Sequence, residues 1–245
     1  DSNFNPEGSA VNRTSQGSED IFLIRYSSTG VYEDDFVIGG SNFDSGNTIQ
    51  VDSGDNIYIA GEHASLPIDL DPSASSNTHF ASGVRDAFIA KYDSSFNLLW
   101  GEGFGGTSSD IIYNMALNSF EDVILTGYFI STADFDPSGS SDFHSSNGSR
   151  DIFVTSYDSS GNYLETETFG DSSADYGNGV YVDSSDIIYF SGVFAGTVDF
   201  DQTAGTDNIT ASGGSWGVVK KFAPAAIPPV ANFSMSTSTG NAPLS

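Results

Sequence analysis

Cysteine is absent from the 245 residues, which excludes disulfide stapling, thiol catalysis and thiolate-held zinc. Basic residues are almost as scarce: seven Lys and Arg stand against 33 Asp and Glu, a formal charge of −26. That imbalance repels nucleic-acid phosphates and anionic lipid headgroups, so neither nucleic acid nor direct membrane insertion is expected. It suits a saline extracellular medium, where salt and divalent cations relieve self-repulsion. No signal peptide opens the sequence, and no apolar run approaches the length needed to span a bilayer. The first residues read as the middle of a repeat, so the natural protein is expected to extend in both directions. Sequons at Asn12, Asn147, Asn208 and Asn232 carry little weight in a chain so rich in Ser and Thr.

What is plentiful is aromatic and turn-forming residues: 19 Phe, 11 Tyr and 27 Gly, with abundant Ser, Asp and Asn. Bulky strand formers separated by turn residues are an all-β composition.

The chain repeats itself. Glu19-Asp20-Ile21-Phe22-Leu23-Ile24-Arg25-Tyr26 returns as Arg85-Asp86-Ala87-Phe88-Ile89-Ala90-Lys91-Tyr92 and as Arg150-Asp151-Ile152-Phe153-Val154-Thr155-Ser156-Tyr157, then in degraded form over 216–222. A second marker, Asp69-Leu70-Asp71-Pro72, returns as Asp134-Phe135-Asp136-Pro137 and Asp199-Phe200-Asp201-Gln202, with Asn3-Phe4-Asn5-Pro6 as its amide version. Both keep a spacing of 65 or 66 residues, which chance does not produce twice in one register.

Within the second period four strands are predicted: Ala87–Tyr92, Leu98–Phe104, Ile112–Leu117 and Val123–Phe129. Polar turns such as Asp93-Ser94-Ser95 and Asp52-Ser53-Gly54-Asp55-Asn56 separate strands of this kind. Four antiparallel strands per period describe a β-propeller blade better than a solenoid coil. Blades are expected to begin near Asp20, Asp86 and Asp151, with the first and third strands apolar on both faces. Gly61, Gly127 and Gly192 are read as points of close packing between neighbouring blades. Three periods with end strands fall short of the four blades of a minimal propeller, so the chain should not close a ring alone.

The run from Asp151 to Asp201 resembles the SBBP repeat, a family of β-propeller repeats in large secreted and surface proteins, and the resemblance covers residues 3 to about 222. It implies a partial propeller over 1–222. A Pro/Ala linker follows at 223–229. Val230-Ala231-Asn232-Phe233-Ser234 and Gly240-Asn241-Ala242-Pro243-Leu244-Ser245 look like the start of a PKD domain, so 230–245 is read as a truncated immunoglobulin-like sandwich.

Catalytic chemistry finds little footing. No Gly-x-Ser-x-Gly elbow, His-Glu-x-x-His helix or phosphate-cradling loop is present. His79 and His144 sit 65 residues apart, one repeat position copied on successive blades, as repeat surface rather than a single catalytic base would be; the third histidine is His63. Paired acids such as Asp34-Asp35 and Glu121-Asp122 fall in turn or edge positions. The Asp-x-Asp marker alone has chemical content. Asp69 with Asp71, Asp134 with Asp136, and Asp199 with Asp201 can each present two carboxylates to one side, as Ca²⁺ requires. The same residues can equally cap turns, with Pro72 and Pro137 ending a strand. Asp134, Asp136, Ser138 and Gly139 match the start of an EF-hand loop, but Ser145 stands where a bidentate Glu belongs.

The sequence therefore reads as a non-catalytic structural or adhesive module outside the cell or on its surface. Its expected partners are other surface proteins, glycans or copies of itself. A ligand- or glycan-binding propeller is the alternative, and a glycan-active enzyme a more distant one.

Overall fold

The structure, a computed structural model, describes residues 2–5, 8–64, 66–201 and 205–211 and the backbone of strand Trp216–Phe222. The linker at 223–229 and the PKD-like stretch at 230–245 lie outside the described residues. Among the described residues all regular structure is β-strand.

The sheets are antiparallel blades of a propeller, two of them with a full set of four blade strands. Blade I orders Asp44–Val51, Ile57–His63, Asp86–Tyr92 and Leu98–Gly106; blade II orders Ile111–Leu117, Val123–Phe129, Asp151–Tyr157 and Tyr163–Phe169. A preceding half-blade pairs Ile21–Tyr26 with Tyr32–Ile38, and a third blade orders Tyr176–Val182, Ile188–Phe194 and Trp216–Phe222. The first strands of blades I, II and III adjoin one another and are the inner strands. Among the described residues no ladder joins the first sheet to the last.

This corrects the expected blade boundaries. Asp20, Asp86 and Asp151 do not open blades: they mark the third strand, and blades open near Asp44, Ile111 and Tyr176. In blade II the ladder runs from Val123 opposite Tyr157 to Phe129 opposite Asp151, so the last two strands of one sequence period pair with the first two of the next. The reason lies in the connections. The long polar segment stays within a blade, between its second and third strands. The short link at 107–110 is what crosses to the next blade. Burial follows the same phase. Ile57–His63, Asp86–Tyr92 and Val123–Phe129 are buried along their whole length, and Asp151–Tyr157 nearly so, whereas Ile111–Leu117 carries exposed Tyr113. The strands apolar on both faces are thus the second and third of a blade, because each lies in the middle of a sheet covered on both sides.

Each long segment folds into a small hairpin, such as Thr132–Asp134 with Phe143–Ser145. In blade II that hairpin also pairs with the outer strand of blade I, Gly105 opposite Asp134, and Gly39 bridges Asp69 one blade earlier. Its apolar residue plugs the gap. Phe135 lies 5.6 Å from Phe104 of blade I and 5.2 Å from Phe153 of blade II, between ring centroids. The three hydrophobic cores all sit between blades: one gathers Phe104, Phe129, Phe135 and Phe153, another Ile38, Leu70, Phe88 and Tyr92, the third Phe169, Phe190, Phe194 and Phe200.

The glycines expected to ease packing between blades act inside one. Each inner strand has a register shift, at Gly46/Thr48, Ile112/Asn114 and Gly177/Gly179. There the inner strand bulges towards its neighbour. A Cβ on Gly61, Gly127 or Gly192 would lie 1.9, 1.8 or 2.1 Å from the carbonyl oxygen of Ser45, Ile111 or Tyr176. Backbone cannot yield that far locally. Gly127→Ala is expected to cost about 1–3 kcal/mol in chemical denaturation, while Gly139→Ala, with open space around it, should melt like the parent.

Candidate functional site

The Asp-x-Asp markers lie at the neck of the small hairpins, and the structure shows how each carboxylate is engaged. Asp69 Oδ1 accepts the N–H groups of Asp71 (3.1 Å) and Asn77 (2.8 Å). Asp134 Oδ1 does the same for Asp136 (3.2 Å) and Asp142 (2.8 Å), and Asp199 Oδ1 for Asp201 (3.0 Å) and Asp207 (2.8 Å). The second aspartates cap a further turn: Asp71 Oδ1 accepts from Ser73 and Asp136 Oδ1 from Ser138. Asn3 makes the same two bonds through its amide oxygen, from Asn5 and Val11, both at 3.0 Å. The turn therefore needs an acceptor oxygen at that position and works without a charge. Among the described residues no three His, Asp or Glu side chains gather where one metal ion could be held.

Two clefts flank the Asp136-Pro137-Ser138 loop. One, of about 250 Å³, lies between successive small hairpins and is lined by His63, His79, Asp86, Asp134 and Asp136; the other, of about 350 Å³, by Glu102, Asp136, Asn162 and Tyr163. The repeated histidines each hold their own hairpin: His79 Nε2 lies 2.7 Å from Asn77 Oδ1, and His144 Nε2 3.1 Å from Asp142 Oδ2. Burial lowers the His79 pKa below its ordinary value.

A second carboxylate series escaped the sequence reading. Asp44, Asp110 and Asp175 start the inner strands, fully buried, while Asp20, Asp86 and Asp151 stand at the head of the third strands; Asp110 and Asp86 meet at Gly105, and Asp175 lies near enough to Asp151 to raise its pKa. All six clamp a loop in one manner, the carboxylate accepting the N–H four residues back: Gln16, Gly40, Ser82, Gly106, Asn147 and Asp171. Burial raises Asp86 to about 6, Asp110 to about 7 and Asp151 to about 6, with the neighbouring aspartate adding to the rise at Asp110 and Asp151. Asp175 rises for the same first reason. The signal was present as a third 65- or 66-residue spacing, hidden because the residues that follow differ between copies.

One end of the inner strands carries a different kind of group. Arg150 stacks over Tyr128 (5.2 Å to the ring centroid) and Tyr176 (5.7 Å), Tyr128 meets Tyr176 edge-on at 5.5 Å, and half-exposed Tyr113 meets Tyr128 at 5.7 Å. One blade earlier the equivalent Arg85 is neutralised by Glu62 (3.0 Å) and stacks on Phe43. The ladders place Glu62 and Tyr128 at one repeat position. Its sequence signal was the breaking of the repeat, Glu to Tyr, where only its keeping had been followed.

No family model matches the chain. It is similar to an uncharacterized WD repeat-containing protein of Acanthamoeba polyphaga mimivirus, 27% identical over 197 residues, which is 70% of this chain and 14% of that protein. The chain thus spans a small part of its relative's length. WD repeats are propeller repeats of four strands per blade, in agreement with the sheets described above.

Two outcomes follow from this geometry. If the marker aspartates act as turn caps, Asp134→Asn should melt like the parent and Asp134→Ala should lose about 1–2 kcal/mol, two backbone donors losing their acceptor. Calcium held there would instead make both variants lose a calcium-dependent, chelator-sensitive rise in melting temperature. For the buried pairs, the folded state holds protons that the unfolded chain releases near pH 4. The stability these groups contribute should therefore rise as pH falls from about 8, most steeply between about 6 and 4, and level off only below the unfolded value near 4. Asp110→Asn should flatten that profile in thermal melts.

Proposed function

We propose that this chain is a non-catalytic recognition and scaffolding segment of a larger extracellular or cell-surface propeller protein of the SBBP-repeat type, with surface glycans or proteins, or further copies of itself, as partners. The observation that carries this reading is a division within the repeat. Groups that hold blades together recur at equivalent positions, while the Arg150 cluster departs from its counterpart one blade earlier. The resemblance of its repeats to those of large secreted and surface proteins supports a place outside the cell.

The features closest to catalytic groups argue for structure. Asp86 and Asp110 have the raised pKa values of general acids, but Asp110 is fully buried, Asp86 reaches the smaller cleft only at its edge with its carboxylate bonded to the Ser82 and Gly83 N–H groups, and the pair is repeated at the next junction. A catalytic pair would need one copy open to substrate.

Chromogenic glycosides and polysaccharides incubated with the chain between about pH 5 and 8 are expected to show no hydrolysis. Surface-plasmon measurements on immobilised polysaccharides, with light scattering for self-association, are expected to show reversible binding. Hydrolysis abolished by Asp86→Asn or Asp110→Asn would overturn the proposal.

A further inference from the structure

Five basic side chains are described in this acidic chain. Four are neutralised: Arg13 by Asp35 (2.7 Å), Arg25 by Glu33 (2.9 Å), Arg85 by Glu62 (3.0 Å) and Lys91 by Asp52 (3.2 Å). Arg150 alone has no carboxylate partner among the described residues. Its neighbours are aromatic faces and phenol hydroxyls, and the Tyr128 and Tyr176 hydroxyls together with burial set its pKa, the Tyr128 bond raising it most.

We propose that Arg150, Tyr113, Tyr128 and Tyr176 form a binding site for one carboxylate carried on a polyhydroxylated ring, a uronate unit of an acidic glycan. The inference rests on the recognition reading above and names its ligand class. A guanidinium stacked on tyrosine faces and bonded to their hydroxyls, with no carboxylate partner among the described residues, can offer its remaining N–H groups to a carboxylate. Beside it, the half-exposed Tyr113 ring offers an apolar face for the C–H side of a sugar, and the phenol oxygens match hydroxyl groups. One guanidinium within so negative a protein suits one charge per unit. The net charge of −26 opposes a more densely charged ligand, such as an acidic peptide with a carboxylate on every residue.

The repeat supplies its own control. Tyr128→Glu installs the Arg85–Glu62 arrangement of blade I in blade II, a pairing the fold already accommodates, and neutralises Arg150 from within. Calorimetric titration with trigalacturonate is expected to show binding by the parent that weakens at least about tenfold with the methyl ester of the same trisaccharide and in Tyr128→Glu. Arg150→Gln should lose as much, and Tyr113→Ala several-fold. Thermal melts establish that each variant is folded; if Tyr128→Glu is not, Arg150→Gln decides. The inference is overturned if trigalacturonate does not bind, if the ester binds equally, if folded Arg150→Gln binds like the parent, or if hexaglutamate binds more tightly than trigalacturonate. Trigalacturonate binding unaffected by Arg150→Gln would sink this site while leaving the recognition reading intact.

Discussion

In three of the copies the small hairpin hangs on a tyrosine hydroxyl, buried in two of them. Tyr92 donates to the Leu70 carbonyl and Tyr157 to the Phe135 carbonyl, each at 2.7 Å, and Tyr26 donates to the Phe4 carbonyl at 2.8 Å. In each case the last residue of one sequence marker reaches the middle residue of the other, 22 residues back. The bond fixes the small hairpin over the third strand, which drives its apolar residue into the gap between blades. A buried carbonyl left without this donor would cost about 1–3 kcal/mol, and the aromatic plug beneath it would lose its seat. Burial raises the Tyr92 and Tyr157 phenols well above their ordinary range, so both remain donors across any physiological pH.

The abundance of aspartate has a structural cause that net charge alone conceals. Asp93 and Asp158 each accept two N–H groups across their hairpins, Asp93 from Ser95 and Asn97, Asp158 from Ser160 and Asn162, and Asn118 does likewise for Phe120 and Asp122. With the marker turns and the loop clamps, much of the acidic content serves as short acceptors for loop backbone. The interchange of Asn and Asp at these positions shows what the turns select for. It also weakens the inference from composition to environment, because a protein rich in loops closed this way becomes acidic in any medium.

The repeat made the fold legible, and both markers stand at structural keystones. Blade phase was not legible, because strand adjacency depends on which connection crosses between sheets, and a repeat spacing is the same whichever one does. The six marker aspartates could be located as a group, but whether they capped turns or faced an ion depended on the direction of backbone N–H groups. Asp44, Asp110 and Asp175 were obscured by their variable neighbours. The Arg150 cluster needed strand pairing, since Tyr113, Tyr128 and Tyr176 come together only across a bulge and a blade junction.

Because every core lies between blades, a blade's stability is largely its neighbour's contribution, as in other repeat arrays. The copies measure this directly. Phe88 and Phe153 are fully buried, whereas Phe22, at the same position in the half-blade, is 59% exposed; Met115 is 1% exposed and its counterpart Ile49 51%. The same residue in the same strand gains its burial only when an adjoining blade is present. Variation is then least costly at positions that neither plug a junction nor clamp a loop, and the Glu62–Tyr128 position is one of them. Its side chain can change from an ion-pair partner to an aromatic wall while the strands around it keep their register.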